Sequence, residues 1–105
     1  MFFFRNTNSS NVNGDLKKEI EENAGIIVDV RSAGERSSGV LPNAIGADWL
    51  SGEVHTMIQS WDPEKHYYMY CRSGNRSGMA TKFMKAQGFK NVTNIGAYDQ
   101  LADLF

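Results

Sequence analysis

The sequence predicts a three-layer α/β/α domain built on a central, mainly parallel β-sheet. Three observations carry that expectation. Short β-branched or aromatic runs at residues 26–30, 66–70 and 92–95 read as strands. Segments with apolar residues at helical spacing lie between them. The first run, Ile26-Ile27-Val28-Asp29-Val30, is almost continuously apolar, as a strand buried on both faces should be. Strands that alternate with helices need crossover connections, and crossovers place helices on both faces of a parallel sheet.

Taken in order, residues 6–14 are polar and read as a loop or arm, with a short strand around Val12 as one option. Over residues 15–23, Leu16 and Ile20 sit at helical spacing among charged residues, which predicts a surface helix with a narrow apolar stripe. Gly25 is suited to the left-handed residue that ends it. Residues 31–39 form a polar loop with room for a helical turn, and Leu41-Pro42-Asn43 is turn chemistry before a short strand at 44–47. Leu50, Val54, Met57, Ile58 and Trp61 then recur as the apolar face of one helix, which Asp62-Pro63 stops. After the strand at 66–70, residues 72–76 form a polar loop and Ser77 opens a helix. That helix is expected to bury Met79, Ala80, Phe83 and Met84 and to close at Gly88. A short helix is expected over residues 98–105.

The chain has 105 residues, 41% of them hydrophobic and 22% charged, which fits one globular domain with a real core. The expected division is a polar arm over 1–13 and a single domain over 14–105. A formal net charge of -1 leaves no basic field to hold a nucleic-acid backbone, so no nucleic-acid partner is expected. The Met1-Phe2-Phe3-Phe4 start is too short for a signal-peptide core or a membrane span. A soluble, cytoplasmic protein with no membrane partner is therefore expected from the chain as given, or a periplasmic one if a leader has been removed.

There is one cysteine, Cys71, so no internal disulfide can form. Free cysteine is most often a buried structural residue. The residues around this one point elsewhere. Cys71 follows a strand, and Arg72, Ser73, Gly74, Asn75 and Arg76 lead from it to a helix beginning near Ser77. Gly74 permits positive φ, and Asn75 tolerates it better than most residues. Such a loop turns backbone N–H groups inward and forms an anion-binding nest. Helix N-termini and nearby arginines favour the thiolate. In parallel sheets, ligands bind outside the carboxyl ends of strands, where Cys71 lies and where Asp29 and Arg31 also fall. Asp29 and Arg31 admit two readings: orienting the active loop, or forming a structural ion pair or loop clamp, with Glu35 as a further member. The structural reading is favoured. His66 lies at the far end of the same strand, about 16 Å from Cys71 at ~3.3 Å per residue. His55 falls on the polar side of the middle helix, so both histidines read as surface residues.

Residues 26–96 resemble the rhodanese family. Cys71-Arg72-Ser73-Gly74-Asn75-Arg76-Ser77 is close to that family's active loop, and Ile27-Val28-Asp29-Val30-Arg31 followed by Glu35 is similar to its first signature. The stretch from Gly39 to Ile45 resembles the second, and Gly88, Phe89 and the closing Gly96 also fit. Val40, Asn43, Arg36 and Ala97 depart from the usual residues without touching the loop. The resemblance implies a sulfurtransferase in which Cys71 attacks a small sulfur-containing anion such as thiosulfate and carries the sulfur as a persulfide. Backbone N–H groups of residues 72–76 would hold it. The acceptor would be a thiol, cyanide or a protein. No metal or organic cofactor is expected. One alternative is a sulfur carrier or regulatory module without turnover. Another is a phosphatase or arsenate reductase, but four residues separate Cys71 from Arg76 where phosphatases have five, and Ser77 stands at their arginine position.

Overall fold

The computed structural model describes residues 9–105, with side chains from Gly14 onward. The elements in chain order are α1 (Ser9–Glu22), β1 (Ile26–Asp29), α2 (Ala33–Arg36), β2 (Ile45–Gly46), α3 (Glu53–Met57), β3 (His66–Cys71), α4 (Asn75–Ala86), β4 (Asn91–Ala97) and α5 (Tyr98–Leu101). The four strands form one sheet in the order β2-β1-β3-β4, and every pairing is parallel. The predicted architecture is therefore present, with a sheet that is parallel throughout.

Strand alternation divides the core into two layers. Val28 and Val30, with Tyr67, Met69 and Cys71 of β3, face α3 and α4 and pack with Val54, Ala80 and Met84. Ile27, Tyr68 and Tyr70 face the other way and pack with Ile20 of α1 and Leu101 of α5. Neighbouring residues of β3 thus serve opposite faces, and this decides which side chains can meet Cys71.

Several local expectations are corrected. The helix α1 starts at Ser9, so residues 9–13 are helical rather than a loop or a strand at Val12; residues 6–8 lie outside the described residues. The left-handed residue after α1 is Ala24, with φ 50°, not Gly25. Gly25 is needed for another reason: a Cβ there would collide with the Tyr68 ring. The single helix expected from Leu50 to Trp61 is a short α3 followed by a 3₁₀ turn over Ile58–Ser60. Leu50 lies before Gly52, which takes φ 87°, and is 73% exposed, so it leaves the apolar face it was assigned to. Likewise α4 begins at Asn75, two residues earlier than expected, and Met79 is 47% exposed while Thr81 is buried. Among the described residues no helix is long and apolar enough to cross a membrane.

Candidate active site

Cys71 is the last residue of β3, and its side chain is fully buried against the start of α4. The chain leaves the strand through Arg72 and Ser73, and Gly74 makes the reversal with φ 98°, a left-handed conformation that glycine adopts freely. Asn75 does not share that role, because it is already helical. A Cβ on Gly74 would also approach the Gly96 Cα to 3.6 Å, so the loop lies close against the end of β4.

This reversal aims donors at the sulfur. The Gly74 N–H lies 3.0 Å from Cys71 Sγ, the Ser77 N–H 3.4 Å and the Ser77 hydroxyl 3.4 Å. Burial pushes the Cys71 thiol up more than any other single influence. The Ser77 hydroxyl and the N–H groups of Ser77, Gly74 and Ser73 together outweigh it, leaving the thiol more acidic than usual. A buried thiol made more acidic than usual is the arrangement expected of a nucleophile.

The two loop arginines differ. Arg72 is exposed. Arg76 is held by a bidentate pair to Glu35, at 2.8 and 3.0 Å. Glu35 is itself fixed by a capping box at the start of α2. Its N–H donates to the Ser32 hydroxyl, and its carboxylate accepts from the Ser32 N–H at 3.0 Å. The hydrogen bond from Arg76, ahead of those from Ser32, holds the Glu35 carboxyl at about 2 despite opposing burial. The Arg76 charge near Cys71 is therefore partly neutralised by a carboxylate.

Asp29 and Arg31 occupy the other face of the sheet. Asp29 pairs in register with Tyr70, so both point away from the Cys71 side. Arg31 clasps the buried Asp29 carboxylate at 2.7 Å, and the Tyr70 hydroxyl donates to the same group at 2.6 Å. The Arg31 guanidinium also donates to the Gly39 carbonyl at 2.7 Å and lies 4.2 Å from the centre of the Tyr98 ring. Leu41 N–H donates to the Tyr70 hydroxyl at 3.0 Å. Burial, then the bond to Asp29, pushes the Tyr70 hydroxyl far up, so it remains a donor. Glu35 takes no part in this cluster, contrary to expectation; it pairs with Arg76 on the active loop. The Ser32-x-x-Glu35 spacing is a sequence signature that places Glu35 at a helix start, but nothing in it names Arg76 as partner.

One further residue reaches the loop. Asn94 of β4 donates to the Gly74 carbonyl at 3.1 Å, while its own carbonyl accepts from the Ser77 hydroxyl at 2.7 Å. A register shift beyond Met69 makes this possible, since Met69 pairs with Asn94 but Tyr70 pairs with Gly96. A bulge has no dependable signature in one sequence, and Asn94 has none here. His55, exposed as expected, is not isolated: its ring stacks on Trp49 at 4.9 Å and meets Phe83 at 4.2 Å. An open cavity of about 470 Å³ lies elsewhere, lined by Lys17, Ile20, Gly25, Ile26 and Phe105 at the opposite, amino-terminal ends of the strands.

The profile of the family described as "Rhodanese-like domain" matches residues 12–102. The chain belongs to the rhodanese family. This rhodanese domain is 35% identical over 78 residues to YtwF of Bacillus subtilis strain 168, a candidate sulfurtransferase by name, covering 73% of this chain and 74% of that protein. It is 32% identical to YrkF of the same organism, a candidate sulfur carrier protein by name, over 76% of this chain but only 43% of the relative. Among solved structures, a rhodanese-related protein from Thermoplasma volcanium superposes with TM-score 0.73 at 26% identity, covering 95% of this chain and 92% of that one. The family match thus takes in most of α1 and all of α5 as well as the sheet and the loop after Cys71.

Proposed function

We propose that the protein is a sulfurtransferase that carries sulfane sulfur as a persulfide on Cys71. The observation that carries this reading is the convergence of the Gly74 N–H and the Ser77 N–H on one buried sulfur. Membership of the rhodanese family supports the same chemistry.

In the first half-reaction the Cys71 thiolate attacks the outer sulfur of a donor such as thiosulfate. A Cys71–sulfur bond forms, the S–S bond of thiosulfate breaks, and its electron pair leaves on sulfite. In the second, cyanide or a thiolate attacks the outer sulfur of the persulfide and regenerates the Cys71 thiolate. Both steps are nucleophilic displacements, and the fixed donors raise the fraction of attacking thiolate in the first and stabilise Cys71 as the leaving thiolate in the second. The N–H groups of Asn75 and Arg76 open the first turn of α4, where no intrahelical acceptor exists, and they suit the outer sulfur of the persulfide. Exposed Arg72 is the cation best placed to attract the donor, because Arg76 is engaged by Glu35. Every step proceeds on the chain's own groups, with no metal or organic cofactor in the scheme.

A second reading is a sulfur carrier that exchanges sulfur with a protein partner and turns over thiosulfate poorly. The name of the relative YrkF supports it. Thiocyanate release from thiosulfate and cyanide separates the two. The sulfurtransferase reading expects continuous turnover by the reduced protein. Absence of thiocyanate, together with uptake of sulfur from a persulfidated protein donor, would replace it with the carrier reading.

A further inference from the structure

Asn94 lies outside the loop that the sulfur chemistry uses, yet it makes three hydrogen bonds around it. Its Nδ2 donates to the Gly74 carbonyl at 3.1 Å, and its Oδ1 accepts from the Gly96 N–H at 3.1 Å and from the Ser77 hydroxyl at 2.7 Å. The first two bonds fix which way the amide faces, so the carbonyl oxygen is the end turned toward Ser77.

A serine hydroxyl has one hydrogen. The Ser77 oxygen lies 2.7 Å from Asn94 Oδ1 and 3.4 Å from Cys71 Sγ. The hydrogen cannot serve both. With the hydrogen on the shorter bond, the Ser77 oxygen turns a lone pair toward the sulfur. That arrangement accepts a bond from the S–H of the neutral thiol and offers nothing to a thiolate. With the hydrogen turned to the sulfur, the thiolate gains a donor and Asn94 loses one. We propose that Asn94 is a positioning residue that competes with Cys71 for the Ser77 hydroxyl hydrogen and so restrains thiolate formation until a ligand or persulfide draws that hydrogen to sulfur.

The inference rests on Cys71 being the reactive thiol and not on the identity of its donor. Other charges near the sulfur are set apart from this switch. Arg76 of α4 interacts with Cys71 and is paired to Glu35 of α2, with Asp48 also acting on it. Asp29 and Arg31 at the end of β1 pair with each other on the other side of the sheet. Asn94 is exposed, so replacing it leaves the core packing untouched.

The test is the pH midpoint of thiolate formation, followed by ultraviolet absorbance and by the alkylation rate of Cys71, with no sulfur donor added. Asn94→Leu and Asn94→Ala are each expected to move the midpoint to lower pH. Below the midpoint, alkylation should rise about fivefold, the factor that one ordinary hydrogen bond supplies. In a Ser77→Ala background the same changes at Asn94 should leave the midpoint unmoved, because the contested hydrogen is gone. A merely structural Asn94 gives the opposite sign: a loosened Gly74 loop loses donors to the sulfur and the midpoint rises. A rise, no change, or a shift that persists without the Ser77 hydroxyl would overturn the inference. Because no donor is present, failure here would leave the sulfurtransferase reading standing, and failure of thiosulfate turnover would leave this one standing.

Discussion

Tyr70 and Cys71 are adjacent in β3, yet each belongs to a different polar cluster at the carboxyl edge of the sheet. On the Tyr70 side, the buried Asp29 carboxylate takes four contacts from Arg31 and one from Tyr70. Arg31 is capped by the Gly39 carbonyl and the Tyr98 ring. The Asp29 carboxylate and the Tyr70 hydroxyl are both engaged there, and the Arg31 and Tyr70 bonds to Gly39 and Leu41 tie residues 39–41 to the sheet. On the Cys71 side the balance is reversed. Donors from Gly74 and Ser77 converge on a sulfur that carries a full charge only when ionised. Closed networks lock a fold, whereas a surplus of donors around one ionisable atom makes chemistry available. Asp29 and Arg31 share the carboxyl edge with Cys71 but point to the opposite face of the sheet.

That contrast can be broken in four places. The largest effect is expected from Cys71→Ser, which should remove sulfur transfer by more than about a thousandfold while the fold persists. Turnover and circular dichroism measured on one preparation check this, and residual turnover in a folded variant would remove Cys71 from the mechanism. Next comes Arg31→Met, which strands the Asp29 carboxylate in the core. It should lower stability by about 3–5 kcal/mol in denaturant titration, with the Cys71 thiolate midpoint unchanged. A shifted midpoint at intact stability would place the Asp29–Arg31 cluster within the chemistry.

Smaller effects are expected at the partly buried Glu35–Arg76 pair. Its folded carboxyl titrates at about 2 against the usual 4.5. The stabilisation is thus fully present above the usual carboxylate range and is lost as pH falls toward 2. Glu35→Gln should cost about 1 kcal/mol at neutral pH after solvent screening. The difference from wild type should close as the solution is acidified, and a gap that stays constant with pH would contradict the ion-pair account. The smallest effect is expected from Arg72→Ala, which should raise the thiosulfate KM by about two- to threefold and reduce its dependence on salt. Kinetics at two ionic strengths check this, and unchanged values would make Arg72 a bystander.

Much of this arrangement was legible from local pattern. The apolar runs at β1 and β3 and the glycine after Cys71 were enough to predict the layers and the loop, because both depend on short-range chemistry. Helix limits were less legible. Leu50 fits the helical spacing of Val54 and Ile58, but the left-handed Gly52 between them breaks the register, and periodicity does not register φ. The partner of Glu35 was missed for a different reason. Asp29, Arg31 and Glu35 are close in sequence, which favours a cluster of all three, but strand alternation sends the pair to one face while the capping box turns Glu35 to the other. Asn94 was invisible because its reach depends on a bulge that only the paired strands reveal.

The most direct test of the central claim is the intact mass of the reduced, folded protein after exposure to thiosulfate, and again after cyanide. A persulfide on Cys71 predicts a gain of about 32 Da that cyanide removes. An unchanged mass with both thiosulfate and a persulfidated protein donor would contradict sulfur transfer through Cys71.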